Sequence, residues 1–223
     1  MLLFTSLIRL SFIRLSIIGE ERLKARVYFT PWFACRKSKI TNTDMNLLLK
    51  EIELISPASS QYRVLLQKEQ LVFSSAHFIT FAGDICECLH GHNYGVMAEV
   101  EGPLDENRYV VDFIAFRDAL AGVVKQLDHH MLIATKHPTI TVEEIHQDDR
   151  DEVMVRFRNK RWVFPAEDCK LLPIGNTTAE EIASWIASEI HQVMKPKVGP
   201  SLSWLEVGVD ENNGQWGYCR IPW

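Results

Sequence analysis

Between positions 77 and 92 the chain carries His77, Cys86, Cys88, His90 and His92. His90 and His92 are two apart, and on an extended segment such residues project to the same side about 7 Å apart. Two imidazoles at that spacing can converge on one divalent ion at about 2.0–2.1 Å each. His77 lies on the apolar stretch before them, across an apparent hairpin, where it can supply a third ligand. Three neutral imidazoles leave one tetrahedral corner vacant, as in a catalytic zinc site, and the ion there polarises a substrate oxygen. Cys86 and Cys88 share the parity of His90 and His92, so a closed Cys₂His₂ structural site is a second reading. It requires the loop to curl, because residues 86 to 92 span about 20 Å when extended.

These residues need elements to hold them. Tyr62 to Phe81 is rich in Val, Leu, Phe, Ile and Thr, with Val64, Leu66 and then Leu71, Phe73 alternating. It reads as one long or bent strand. Asn93 to Glu101 alternates as a second strand, ended by Gly102-Pro103. The period then becomes helical. Asp112 is a candidate N-cap, and Phe113, Phe116, Leu120, Val123, Val124 and Leu127 share one stripe. A second helix runs from about Thr178 to Met194. Thr177 with Glu180 fits a capping box at its start, and Lys195-Pro196 stops it. Strands near Leu202–Val209 and Gln215–Ile221 follow, turning at Asn212-Asn213-Gly214. Between the helices an insert, about 136–170, holds strands near Thr139–Ile145 and Glu152–Phe157, with Arg161–Phe164 as a possible third. Strands clustered at both ends argue for α+β with an antiparallel sheet.

The 223 residues carry 24 Lys/Arg against 29 Asp/Glu, a net charge of −5. That excludes the basic footprint of a nucleic-acid binder. Residues 1–44 hold eight basic and three acidic residues, so the acidity belongs to the remainder. Leu2 to Ile18 is apolar but broken by Arg9 and Arg14, too interrupted for a spanning helix and wrongly ordered for a secretory signal. Residues 1–61 are expected to be an extension, partly disordered, either a presequence or the product of a start misplaced ahead of Met45. The five cysteines do not form a secreted framework, so the expected setting is reducing and cytoplasmic, with no membrane partner.

In order along the chain, Phe73-Ser74-Ser75-Ala76-His77, Cys86-x-x-x-His90-Gly91-His92-Asn93-Tyr94, Val111-Asp112-Phe113, Leu127-Asp128-His129 and Thr177-Thr178-Ala179-Glu180 resemble the 6-pyruvoyltetrahydropterin synthase family. The closest likeness is to its 6-carboxytetrahydropterin synthase branch, of queuosine (7-deazaguanine) biosynthesis. The similarity runs from about Tyr62 to the C-terminus, so residues 62–223 are expected to form one domain. The resemblance implies a tunnelling (T-) fold, a four-stranded antiparallel sheet with two helices on one face, here with a β-hairpin insert. It also implies homo-oligomers, typically hexamers, with active sites between subunits.

By the same resemblance, His77, His90 and His92 hold Zn²⁺, Cys86 is the catalytic thiol, and Asp128 with His129 forms a proton relay. Cys88 has no counterpart in the pattern. A C-terminal carboxylate anchors the pterin, and Val209-Asp210-Glu211-Asn212 offers Glu211, with Asp210 as the alternative. Thr177, Thr178 and Glu180 are candidate substrate contacts, although a capping box accounts for Thr177 and Glu180 equally well. The chemistry suits these roles. The ion acidifies C–H bonds beside substrate oxygens, and a thiol that ordinarily titrates near 8.5, lowered by a neighbouring cation, moves the proton. His129, past a helix C-terminus and beside Asp128, is expected to favour its protonated form.

The implied reaction converts 7,8-dihydroneopterin triphosphate to 6-carboxy-5,6,7,8-tetrahydropterin, releasing acetaldehyde and triphosphate. The alternatives are 6-pyruvoyltetrahydropterin synthesis, with triphosphate elimination only, and a non-catalytic zinc-stabilised pterin-binding protein.

Overall fold

The computed structural model describes residues 60–83, 85–198 and 202–223. The presequence and Met45 readings, Cys35 and nearly all of the expected extension lie outside them. The first described element, β1 (Tyr62–His77), pairs antiparallel with β4 (His90–Gly102), and Val64, Leu66, Leu71, Phe73, Ser75 and His77 point inward. The inward set changes parity between Leu66 and Leu71. A bulge is responsible: from Gln67 to Val72, β1 advances five residues while β4 advances two. Extra residues in one strand reverse which side chains face the core. The bulge therefore lets both apolar sets of β1 pack inside, and it puts His77 on that same inner face.

Two short strands, β2 (Thr80–Phe81) and β3 (Ile85–Cys86), connect β1 to β4. The expected single strand to Phe81 thus breaks after His77. Helix α1 (Phe113–Val124) starts where Asp112 accepts from Ile114 N and Ala115 N. It buries Phe116, Ala119, Leu120, Val123 and Val124, while Phe113 stays exposed. Helix α2 (Ala179–Val198) packs on β10 (Trp204–Asp210), β11 (Trp216–Pro222) and α1. Pro196 lies inside α2, so the helix does not stop before it. Its N-terminal cap is Thr178, whose Oγ1 accepts from Glu181 N at 3.4 Å. The expected Thr177–Glu180 box does not form: the cap shifts to Thr178, and the Glu181 carboxylate accepts from Gly175 N at 3.4 Å.

The sheet order is β11-β10-β4-β1-β5-β9, so two strands extend the expected four. Both β5 (Met131–Ala134) and β9 (Cys169–Leu172) run parallel to their neighbours. All of β5 is buried. Leu132 and Ala134 face the main core, and Met131 and Ile133 face a second core with Phe78, Val153, Val155 and Phe157. Burial on both faces explains the uninterrupted apolar run.

Parallel strands need a long crossover, and the insert supplies the one from β5 to β9. It is a three-stranded antiparallel sheet of β6 (Thr141–Gln147), β7 (Arg150–Phe157) and β8 (Lys160–Pro165), the expected hairpin with the third strand expected at Arg161–Phe164. It closes over the second core, where Trp162 stacks on Phe78 with ring centroids 4.6 Å apart. No described helix is long and apolar enough to cross a membrane.

Candidate metal centre and active site

The β1–β4 register brings the histidines together. His77 pairs directly with His90, and Ser75 with His92, so all three imidazoles leave the helix-covered face at the ends of two hydrogen-bonded strands. Their donor atoms lie within 4.8 Å of one another, and neither cysteine joins the cluster. A closed Cys₂His₂ site is not what these strands build.

The hydrogen bonds fix which nitrogen faces the centre. His77 Nδ1 donates to Thr177 O at 2.8 Å, and His90 Nδ1 donates to Cys88 O at 2.9 Å. Carbonyls only accept, so in each neutral ring the lone pair is on Nε2. These two Nε2 atoms lie 3.2 Å apart. The Glu211 carboxylate, a third acceptor, sits 3.3 Å from His77 Nε2 and 4.0 Å from His92 Nε2. Acceptors crowded like this repel unless a proton or a metal cation lies among them. His77 is fully buried, and burial lowers its pKa from 6.5 to about 4, opposed by the bond to Thr177. At neutral pH its own proton does not fill the gap. The donor set, with each Nδ1–H aimed at a backbone carbonyl, is the arrangement that holds a divalent ion. These three histidines can bind a metal.

The structure separates Asp210 from Glu211. Asp210 turns away and accepts from Gly214 N and Gln215 N at 2.9 Å, capping the β10–β11 turn. Glu211, one residue on, faces the histidines. Thr177 is 2% exposed, and its hydroxyl donates to Phe78 O at 2.9 Å while its carbonyl orients His77. Its side chain is a joint between α2 and β1. Thr178 caps α2, and Glu180 is exposed.

Asp128 accepts from Ser74 N at 2.9 Å and from His129 Nδ1 at 2.9 Å. These bonds, the Ser74 one first, hold its carboxyl below the usual range. Helix α1 ends at Val124, and Asp128 orients the His129 ring. His129 has φ +59° and an 82% exposed side chain. It opens into a cavity of about 580 Å³ lined by Ser74, Ala76, Gly91 and Asn93, which alternate with the inward-facing residues of β1 and β4, and also by His92 of the cluster. Within one chain, no described hydrogen bond or ion pair links the Asp128–His129 pair to the three histidines.

Cys86 ends β3, half-buried, with Sγ 3.5 Å from Glu87 O. Burial raises its thiol above the ordinary value; Lys160 opposes this but does not reverse it. The expected lowering of this thiol by a cation is thus outweighed by desolvation. Two further polar side chains, Glu87 with no signal of its own and Tyr94 at the end of the His90-Gly91-His92-Asn93-Tyr94 motif, lie beside the histidines. Glu87 Oε2 is 3.9 Å from His90 Nε2, but an acid between two cysteines reads as a solvated loop. Tyr94 is fully buried, edge-on to His77 and His92, and its hydroxyl has no hydrogen-bond partner.

Residues 66–221 match the family model for 6-pyruvoyl tetrahydropterin synthase. The chain belongs to this family. It is an enzyme of the family's pterin-processing lyase type. A Methanocaldococcus jannaschii protein, provisionally named 6-carboxy-5,6,7,8-tetrahydropterin synthase, is 34% identical over 151 residues, 67% of this chain and 88% of its own. The crystal structure of Plasmodium vivax 6-pyruvoyl tetrahydropterin synthase superposes with a TM-score of 0.66 at 29% identity, covering 74% of this chain and 99% of that one. A variant of that protein with a glutamate replaced by alanine, described as a catalytic residue mutant, gives a TM-score of 0.66 at 28% identity over the same shares. These likenesses carry the T-fold architecture.

Proposed function

We propose that residues 62–223 form a zinc-dependent lyase that converts 7,8-dihydroneopterin triphosphate and water to 6-carboxy-5,6,7,8-tetrahydropterin, acetaldehyde and triphosphate, in queuosine (7-deazaguanine) biosynthesis. The observation that carries it is the convergence of His77, His90 and His92, with donor atoms within 4.8 Å of one another and the Glu211 carboxylate 3.3 Å from His77 Nε2. The M. jannaschii relative's name supports the carboxy product.

In this reading His77, His90 and His92 hold the ion, which supplies Lewis acidity to side-chain oxygens of the pterin and acidifies the adjacent C–H bonds. Cys86 takes or returns the proton. Glu211 accepts two parallel hydrogen bonds from the pterin edge, a planar match that fixes the ring. Thr178 and Glu180, next to the Thr177 carbonyl that holds His77, are the substrate contacts of this reading. His129, with Nδ1 held by Asp128, exchanges a proton with the substrate through Nε2. His129 shares its cavity with His92, but the pair has no described bond to the three histidines within one chain; in this reading the site is completed by a second copy, in a homo-oligomer, hexameric here, whose sites lie between subunits.

A second reading, 6-pyruvoyltetrahydropterin synthesis, is favoured by the names of the Plasmodium structures. The glutamate named as catalytic in the P. vivax protein also makes Glu87, near His90, a second candidate base. Incubating zinc-loaded protein with dihydroneopterin triphosphate and analysing all products by mass separates the two. Acetaldehyde beside a carboxypterin supports the first; an active enzyme that releases triphosphate without acetaldehyde overturns it.

A further inference from the structure

The insert reaches the loop that carries Cys86. Lys160 opens β8 just past the β7–β8 turn, and its Nζ donates to Cys86 O at 2.7 Å and to Glu87 O at 3.4 Å. Two other bonds tie the same loop: Glu87 N to Ile79 O at 3.0 Å and His90 Nδ1 to Cys88 O at 2.9 Å. Loop carbonyls have no ladder partner, and an ammonium donor gives them charge-assisted bonds, stronger than neutral ones.

The position of Lys160 is itself fixed. Its Nζ lies 6.0 Å from the centroid of the Trp162 ring, and Trp162 stacks on Phe78 at 15° between planes. Phe78 directly follows His77. The lysine, the indole beneath it and the metal-binding end of β1 are therefore one packed unit. The insert, which serves topologically as a crossover, also grips the loop beside the histidines.

We propose that Lys160 is a positioning residue: it fixes the Cys86–Glu87 loop relative to the three histidines and sets a positive charge beside the sulfur. This rests on reading Cys86 as the reacting thiol. Besides burial, the groups acting on that thiol are Lys160, which favours the thiolate, and Cys88 and Glu87, which oppose it.

Lys160→Met removes the charge and both bonds at similar side-chain length, and Lys160→Arg restores a charged donor. On zinc-loaded protein, alkylation of Cys86 by iodoacetamide is followed by peptide mass spectrometry from neutral to alkaline pH, alongside kcat and KM for dihydroneopterin triphosphate. In Lys160→Met the pH of half-maximal alkylation moves upward and kcat falls about tenfold or more with KM little changed, because a misplaced reacting group costs rate rather than binding. Lys160→Arg recovers most of both. A wild-type alkylation profile and kcat in Lys160→Met overturn the proposal. If the Met variant does not fold, Lys160→Gln, which keeps an uncharged donor, is read by the same alkylation shift. Cys86→Ala tests the underlying reading separately. Full activity there removes the reacting thiol, whereas an inactive Cys86→Ala beside an unaffected Lys160→Met strikes the role of Lys160 alone.

Discussion

Acidifying the metal-free protein exposes what the buried histidine contributes to stability. His77 titrates at about 4 in the folded chain and near 6.5 when unfolded. Between those values the unfolded chain takes up a proton that the folded chain refuses, so stability falls as pH drops from 6.5 towards 4. The full displacement corresponds to about 3 kcal/mol, and at about pH 5 roughly 2 kcal/mol of it is already lost. The assay is urea denaturation of stripped protein at neutral pH and at about pH 5, compared with His77→Gln, which retains a donor for the Thr177 carbonyl and does not titrate. Carboxylates titrate in both proteins and cancel in the difference. Wild type should lose about 2 kcal/mol more than the variant over that interval. Equal losses would refute the argument that His77 is held neutral by burial.

Three further outcomes follow from packing and chemistry. In Gly217→Ala the new Cβ meets Ala179 Cβ and Glu180 N at 2.7 Å, the latter backbone that cannot step aside. Stability should fall by about 1–3 kcal/mol in thermal denaturation, and an unchanged Tm contradicts the β11–α2 contact. Tyr94→Phe removes a buried hydroxyl that has no partner, so stability should rise by about 1 kcal/mol in urea denaturation. A loss of that size instead means the hydroxyl has a partner in solution. Cys86→Ala should lose about a hundredfold or more in turnover while metal content, read by elemental analysis, stays at the wild-type level. Loss of metal would make Cys86 a ligand.

The sequence carried the site better than the frame around it. His-x-His parity and a histidine ending an apolar strand are local signals, and β1 and β4 juxtapose them as the spacing requires. The β1 bulge shows only as a change of parity between Leu66 and Leu71, which without the pairing partner reads as a bend. Strand β5 escaped because four consecutive apolar residues after a helix have no period. They are intelligible only once cores lie on both faces. The Thr177 side chain is buried and donates to Phe78 O across the fold, while the Thr178 hydroxyl accepts the α2 cap bond. Lys195-Pro196 signals a stop, yet the helix carries Pro196 within its last turn and runs to Val198. Lys160 gave no signal, since a lysine at a turn reads as solvated and its acceptors lie more than seventy residues away.

The account depends most on the ion held by His77, His90 and His92. Metal content and turnover of dihydroneopterin triphosphate, measured together before chelation, after it and after zinc is restored, test this directly. The account predicts a single ion per chain, turnover that vanishes and returns with it, and no such ion in His77→Gln or His90→Gln. Full turnover by protein stripped of metal would contradict it.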